Sequence, residues 1–377
     1  LRIKEIDVIR GFSILGIFFV NMLDFHSPIM YIELEEWWQS PLDRWTVTLI
    51  DVAAQASFYP LFAFLFGFSM VVFRERAIEK GLSFPHLFIR RMVALFVIGC
   101  IHAFFIWHGD ILITYAAMGG LLLLFHQASS RMWLAASIIC FIPYFVISLL
   151  LGFAVLSGEA ETSAHYESLA MEALRNYRDG TISDIFWQRW RDWIYVNNIE
   201  GFLFIVMMLL AMGLFGGYVA QSRSLLSIAT IKRTAIVSLW IGMPLKLLPY
   251  LFGKNVWTEY VQDVFGGPAL SIFYAAVIWL VLQKKRWKIF DYFASVGRMS
   301  LTNYLFQSVL CTFLFYSYGF GLYGSVRPFY GAVGTVVIYV TQAIISEKWL
   351  KSFHMGPIEW MWRTATYGKR PLLRRSP

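Results

Sequence analysis

Long apolar runs alternate along this chain with short loops that hold most of its lysines and arginines. A membrane-spanning helix needs about 20 mostly apolar residues. That criterion predicts about ten spans, roughly at 8–26, 46–73, 88–107, 111–126, 131–156, 200–220, 230–251, 265–283, 299–317 and 329–346. Helices satisfy every backbone donor and acceptor internally, as lipid demands, so the fold class expected is all-α. The architecture expected is a polytopic transmembrane helix bundle forming a single membrane domain over 1–377.

The loops supply orientation. One set receives Arg2, Lys4 and Arg10, then Arg74, Arg76, Lys80, Arg90 and Arg91, then Arg131, Arg223, Lys232 and Arg233. Lys284, Lys285, Arg286, Lys288, Arg298 and the tail from Lys348 complete it, whereas the other set holds Arg44, Lys254, Arg327 and a few residues of 157–199. Cytoplasmic loops are the basic ones, which puts both termini in the cytoplasm. Residues 157–199 are then an extracytoplasmic loop and residues 347–377 a cytoplasmic interfacial tail. The loop reads as a polar helix over 163–180, ended by Gly180, then an aromatic and charged helix capped by Ser183. It either lies along the membrane surface or packs on the bundle as a lid. In the tail, Pro357 opens a short helix, Trp360 and Trp362 suit the interface, and the last arginines suit anionic lipid.

Composition narrows the function classes. Hydrophobic residues make up 58% and charged residues 15%, too little charge for the surface of a soluble domain of this length. The net charge of +8 sits between apolar runs, so it is a topology signal and no nucleic-acid partner is expected. Cys100, Cys140 and Cys311 lie inside apolar runs without C-x-x-C spacing, which argues against a disulfide framework or a metal site. The first run is followed by Asn21, Asp24 and His26 and not by a small-x-small cleavage site, so it reads as a retained helix.

Ionisable groups at membrane depth are the candidates for chemistry. His102, His108 and Asp110 cluster about the polar corner of the 98–126 hairpin. His102 with Asp110, and Tyr115 nearby, reads either as a general base with its orienting carboxylate or as a histidine bonded to a neighbouring helix. Asp7, Arg10 and Gly11 form D-x-x-R-G, either an anion handle at the inner end of the first span or an interfacial ion pair. Lys246, between Pro244 and Pro249, implies a broken helix and either binds an anionic group or a carboxylate such as Asp51, or snorkels outward. Asn303 and Gln307 share a face at i, i+4 beside Thr302 and Ser308, and serve either substrate contact or interhelical hydrogen bonding with Gln342. No convincing internal repeat is visible, which weighs against an inverted-repeat transporter.

Five segments carry a family resemblance: DVIRGFSILGIFFVN, FYPLFAFLFGFSM, IHAFFIWHGDILITYAAMG, GRMSLTNYLFQS and GPIEWMWR. In this order they resemble the YeiB/YxaH-like bacterial membrane proteins, a domain-of-unknown-function family grouped distantly with transmembrane acyltransferases of the heparan-glucosaminide acetyltransferase type. The resemblance implies a multi-pass protein of the bacterial cytoplasmic membrane. It implies that Asp7 and Arg10 match the D-x-x-R-G motif and that His102 is the membrane-embedded base. An acyl group would pass from a cytoplasmic thioester, acyl-CoA, to an extracytoplasmic or lipid acceptor, with no tightly bound cofactor. The alternatives are a transporter or exporter of a small amphiphile or anion, built on Lys246 and the Asn303/Gln307 face, and a noncatalytic lipid-binding protein. Expected partners are membrane lipids and a second copy in a homodimer, since bundles with small-residue faces associate.

Overall fold

The computed structural model describes residues 3–158, 166–284 and 287–375. Arg2, Lys285, Arg286 and residues 163–165, used in the expectations above, lie outside the described residues. Every regular element among the described residues is helical; the only β pairing there is an isolated bridge between Phe353 and Arg374.

Among the described residues, eight helical stretches are long and apolar enough to cross a membrane: Lys4–His26, Pro41–Glu79, Phe84–Ile106, Ser130–Ser157, Ile199–Gln221, Ile228–Lys246, Val256–Lys284 and Pro328–Ser352. The other two predicted spans, 111–126 and 299–317, correspond to the shorter helices Leu112–Phe125 and Ser300–Phe315. Sixteen residues rise about 24 Å, less than a hydrocarbon core of about 30 Å. Each buries one side, with Met118, Leu122 and Cys311 fully enclosed, and exposes another, with Leu124, Phe306 and Val309 on it.

The outer and inner helices differ as lipid requires. Ser130–Ser157 buries Trp133, Ser137, Cys140, Tyr144 and Ser148, one narrow face, while Leu149, Leu150 and Phe153 stand exposed. Apolar surface on that scale needs an apolar solvent. Ile199–Gln221, in contrast, is enclosed on nearly all sides and packs along Phe58–Glu79.

Several of the stretches read as spans are not regular helices. The 46–73 stretch breaks into Pro41–Ala53 and Phe58–Glu79, with Ala56 at φ +53° in the turn between them. Val256–Lys284 carries a π-turn over Gln262–Gly266. These breaks and the Lys246 end of Ile228–Lys246 meet one another.

The described part of the 157–199 loop forms Glu167–Asp179 and Ile182–Val196. The second is capped by Thr181, whose hydroxyl accepts the Asp184 N–H while Asp184 accepts the Thr181 N–H. The cap therefore lies two residues before the expected Ser183, because only Thr181 can close that reciprocal box. Tyr177, Ile185, Gln188, Arg189 and Asp192 are buried against the bundle, whereas Ile182 and Trp187 face outward. The segment is packed down, and its far face carries the aromatic residues.

Candidate functional site

The Phe84–Ile101 helix widens into a π-turn over His102–Ile106 and stops at Trp107, which turns extended and donates its N–H to the His102 carbonyl. That widened turn aims His102 inward. Its Nδ1 lies 2.7 Å from Asp110 Oδ1, and its Nε2 lies 2.8 Å from Ser308 Oγ. Asp110 Oδ2 accepts the Ile113 N–H at 2.9 Å, which pins the carboxylate across the first turn of Leu112–Leu122. With Asp110 taking the Nδ1 proton, Nε2 is the acceptor for the Ser308 hydroxyl. His102 and Ser308 are both fully buried, and the Tyr304 ring lies 5.1 Å from the imidazole. The predicted His102–Asp110 pair is formed, and Ser308 extends it into a three-membered relay.

At the opposite end of the first helix, Arg10 donates to Asp7 Oδ1 at 3.4 Å and to Ser69 Oγ at 3.0 Å. Both line a cavity of about 570 Å³. Six cationic side chains face it, Arg10, Arg76, Lys80, Arg91, Arg298 and Arg363, against the carboxylates of Asp7 and Glu359. Aromatic rings form much of the remaining wall, and the Arg91 guanidinium lies 3.8 Å over the Trp362 ring. Delocalised guanidiniums and planar rings together suit a ligand with phosphates and an aromatic or apolar body.

Glycine makes this wall. A Cβ on Gly11 would strike the Phe293 carbonyl, and one on Gly297 would strike the Asp7 carbonyl. The glycine of D-x-x-R-G and the glycine of GRMS thus let Lys4–His26 cross Ile289–Arg298 at backbone contact, which sets Arg10 and Arg298 on one cavity. The last two motifs clasp each other as well. Glu359 of GPIEWMWR accepts the backbone N–H groups of Leu301 and Thr302, at 2.8 and 3.0 Å, and the Thr302 hydroxyl. It thereby satisfies orphan donors at the start of Ser300–Phe315. Burial pushes the Glu359 carboxyl above its usual range, against the lowering effect of those hydrogen bonds.

A second, apolar cavity of about 70 Å³ lies beside the cationic one; Tyr304 lines it, whereas His102, Asp110 and Ser308 do not. It shares Phe62, Phe66, Ser300 and Trp362 with the cationic cavity and is lined also by Tyr115 and Tyr304. Tyr115 donates to the Tyr59 carbonyl at 2.7 Å, and Tyr304 to the Gly109 carbonyl at 3.2 Å. Ser300 lies on the cavity wall and Ser308 eight residues on, about 12 Å along the same helix. Tyr304, midway, has the slot on one side and His102 on the other.

Beyond the relay, His108 joins a buried outer network. Its Nε2 lies 3.1 Å from Asp24 Oδ2, and its Nδ1 lies 3.2 Å from the Tyr177 hydroxyl and 3.8 Å from Asp192 Oδ2. Tyr31, Tyr177 and Gln188 all donate to Asp192. Burial alone would lower the His108 pKa, but Asp24, and Asp192 after it, outweigh burial and the net shift is upward. This network fastens the 166–196 segment to the hairpin corner.

The remaining predicted residues lie elsewhere. Lys246 is fully buried, so it does not snorkel, because its ammonium finds partners inside: it donates to the Gln55 carbonyl at 3.1 Å and to Asp263 Oδ1 at 3.4 Å. Asp51, the carboxylate suggested for it, instead accepts from Tyr250 and Gln262. Asn303 donates to Ser346 Oγ and to the Met299 carbonyl, and Gln307 to Gln342 Oε1, so both amides tie Ser300–Phe315 to Pro328–Ser352. Neither lines the cationic cavity or the slot. Sequence reasoning passed over Arg91, Glu359, Asp192 and Tyr177. Glu359 had a usable signal, the one acidic residue in a motif of mostly apolar and aromatic residues; Asp192 had none, since it sits in a loop rich in charge.

Comparison with known proteins gives the chain its relatives. The profile of the family described as "Protein of unknown function (DUF418)" matches residues 218–369. The "Uncharacterized protein YxaH" of Bacillus subtilis (strain 168) is 36% identical over 97% of this chain and 94% of its own length. The "Uncharacterized protein YeiB" of Escherichia coli (strain K12) is 26% identical over 97% of this chain and 96% of its own. An "Uncharacterized 39.9 kDa protein in amylase 3'region" of Bacillus acidopullulyticus is 28% identical over 99% and 96%. With eight apolar helices of spanning length and a relative of this identity over nearly its whole length, the chain is a membrane protein that belongs to the YeiB/YxaH-like family, DUF418.

Proposed function

We propose that this protein is a membrane acyltransferase that takes an acyl group from an anionic thioester such as acyl-CoA and gives it to a hydroxyl or amine acceptor. One observation carries the reading: a cavity lined by six cations shares four wall residues with an apolar slot that ends at Tyr304, the ring packed on His102. Arg10 and its cationic neighbours hold the donor's phosphates by charge-assisted hydrogen bonds. The slot takes the acyl arm out of water. His102, oriented by Asp110, is the general base, a role commonly worth about 10²–10⁴ in rate. In this proposal the cationic cavity opens to the cytoplasm of a bacterial cell, where its basic residues suit the positive-inside pattern, and the acceptor comes from the other side or from the lipid.

A transporter centred on Lys246 together with Asn303 and Gln307 has less support. Lys246 is paired with Gln55 and Asp263, whereas both amides are spent on Gln342 and Ser346.

The test is native mass spectrometry of protein purified with its lipids, before and after acetyl-CoA or octanoyl-CoA, on wild type and Arg10→Ala. Loss of a charge-assisted contact, about 1.5–3 kcal/mol, weakens the donor complex about 10- to 100-fold in the variant. Equal donor binding in both proteins, or none in wild type, refutes the proposal.

A further inference from the structure

We infer that Ser308 is a nucleophile and that transfer runs through an acyl-serine. The inference rests on the acyltransferase reading and adds to it a covalent step.

The argument starts from which partner the hydroxyl chooses. Serine in a buried helix ordinarily returns its proton to the carbonyl four residues back. Here that contact, Ser308 Oγ to the Tyr304 carbonyl, is 3.4 Å, whereas the His102 Nε2 contact is 2.8 Å. The relay behind it is complete. Asp110 Oδ1 is 2.7 Å from Nδ1, and its second oxygen is held by the Ile113 N–H, an arrangement that favours the tautomer with the proton on Nδ1 and Nε2 as acceptor for Ser308. A hydroxyl, a base and a group that orients the base are the parts that activate a nucleophile, whatever the fold that carries them.

Two further features fit. Trp107 stands edge-on to His102, ring centroids 6.1 Å apart, and its buried indole N–H has no hydrogen-bond partner. A donor of that kind beside the relay suits the oxyanion that develops on an attacked carbonyl. Tyr304, which lines the slot, and Ser308 are four apart and share a helix face, so the ring is the side chain that stands between the slot and Ser308.

The chemistry balances without another reactant. Ser308 Oγ bonds the thioester carbonyl carbon while its proton passes to His102 Nε2; the carbon–sulfur bond breaks, and the sulfur leaves with that proton as a thiol. In the second half the acceptor gives its O–H or N–H proton to His102 and bonds the acyl carbon. The Oγ–acyl bond breaks, and Ser308 recovers the proton.

The first half needs no acceptor, and the test uses that. Purified protein is mixed with acetyl-CoA or octanoyl-CoA and quenched in acid; intact mass and peptide mapping follow, with native mass spectrometry of the unquenched sample. The expected result is an acyl mass on the peptide holding Ser308 and release of up to one equivalent of thiol. Ser308→Ala keeps the noncovalent donor complex but loses the adduct, and His102→Gln forms it about 10²–10⁴ times more slowly. Donor binding without a covalent adduct, or an equal adduct in Ser308→Ala, overturns the nucleophile and leaves the acyltransferase reading standing. No donor binding in wild type overturns both.

Discussion

Lys246 and Asp263 provide a measurement of what holds the broken helices together. Lys246 Nζ bridges the Gln55 carbonyl, freed where Pro41–Ala53 stops, and Asp263, presented by the π-turn at Gln262–Gly266. The two partners are unequally placed: the Lys246 side chain is 0% exposed and that of Asp263 is 38% exposed. Removing one member of a buried pair costs about 3–5 kcal/mol, because the charge left behind has lost its partner. Lys246→Met leaves the partly exposed Asp263 without its cation, while the Gln55 carbonyl keeps the Ser57 hydroxyl at 3.2 Å; the cost is about 1–3 kcal/mol. Asp263→Asn is the smaller chemical change but strands the ammonium without water, so its cost is the full 3–5 kcal/mol. The double variant removes both charges and should recover most of the larger loss. Fifteen tryptophans make intrinsic fluorescence a direct readout of unfolding in detergent or nanodiscs. The reasoning fails if Lys246→Met is as stable as wild type, or if the double variant loses the sum of the two single losses.

Two other expectations rest on groups outside the spans. Glu359→Ala leaves the Leu301 and Thr302 N–H groups unpaired and should cost about 2–4 kcal/mol, whereas Glu359→Gln keeps an acceptor and should cost under about 1 kcal/mol. Because burial raises the Glu359 pKa in the folded protein, wild type should gain stability relative to Glu359→Gln as pH falls below neutral; parallel pH titrations of the melting midpoint check the sign. His108 is likewise raised, so the stability contributed by its ion pairs is fully present below its ordinary pKa and is lost as pH rises through the shifted one. Hydrogen exchange in 166–196 should accelerate with pH beyond the intrinsic chemical rate, and His108→Gln should abolish that extra dependence.

Much of the site was legible in particular residues. His102 and Asp110 stood out because polar groups are rare in so apolar a hairpin, and they form the pair their spacing suggested. The D-x-x-R-G motif stood out at a helix end, and Arg10 lines a cavity together with five other cationic side chains. Asn303 and Gln307 stood out for the same reason, yet their amides bond a neighbouring helix. An isolated polar side chain inside lipid looks the same in sequence whether its partner is a ligand or another helix.

Hydropathy by itself determined that this is an all-helical membrane protein and roughly where its long helices run, because each must be apolar along its own length to enter lipid. It could not set the number that cross, since two of the stretches it marks form only the shorter helices Leu112–Phe125 and Ser300–Phe315. Nor could it mark the break at 54–57, where Ala-Gln-Ala-Ser has neither proline nor glycine and the freed carbonyl of Gln55 accepts from Ser57 and from a lysine 191 residues away. The relay is of the same kind: Ser308 reaches His102 across 206 residues. Short-range patterns record what each segment needs from its solvent, and only packing decides which distant group answers it.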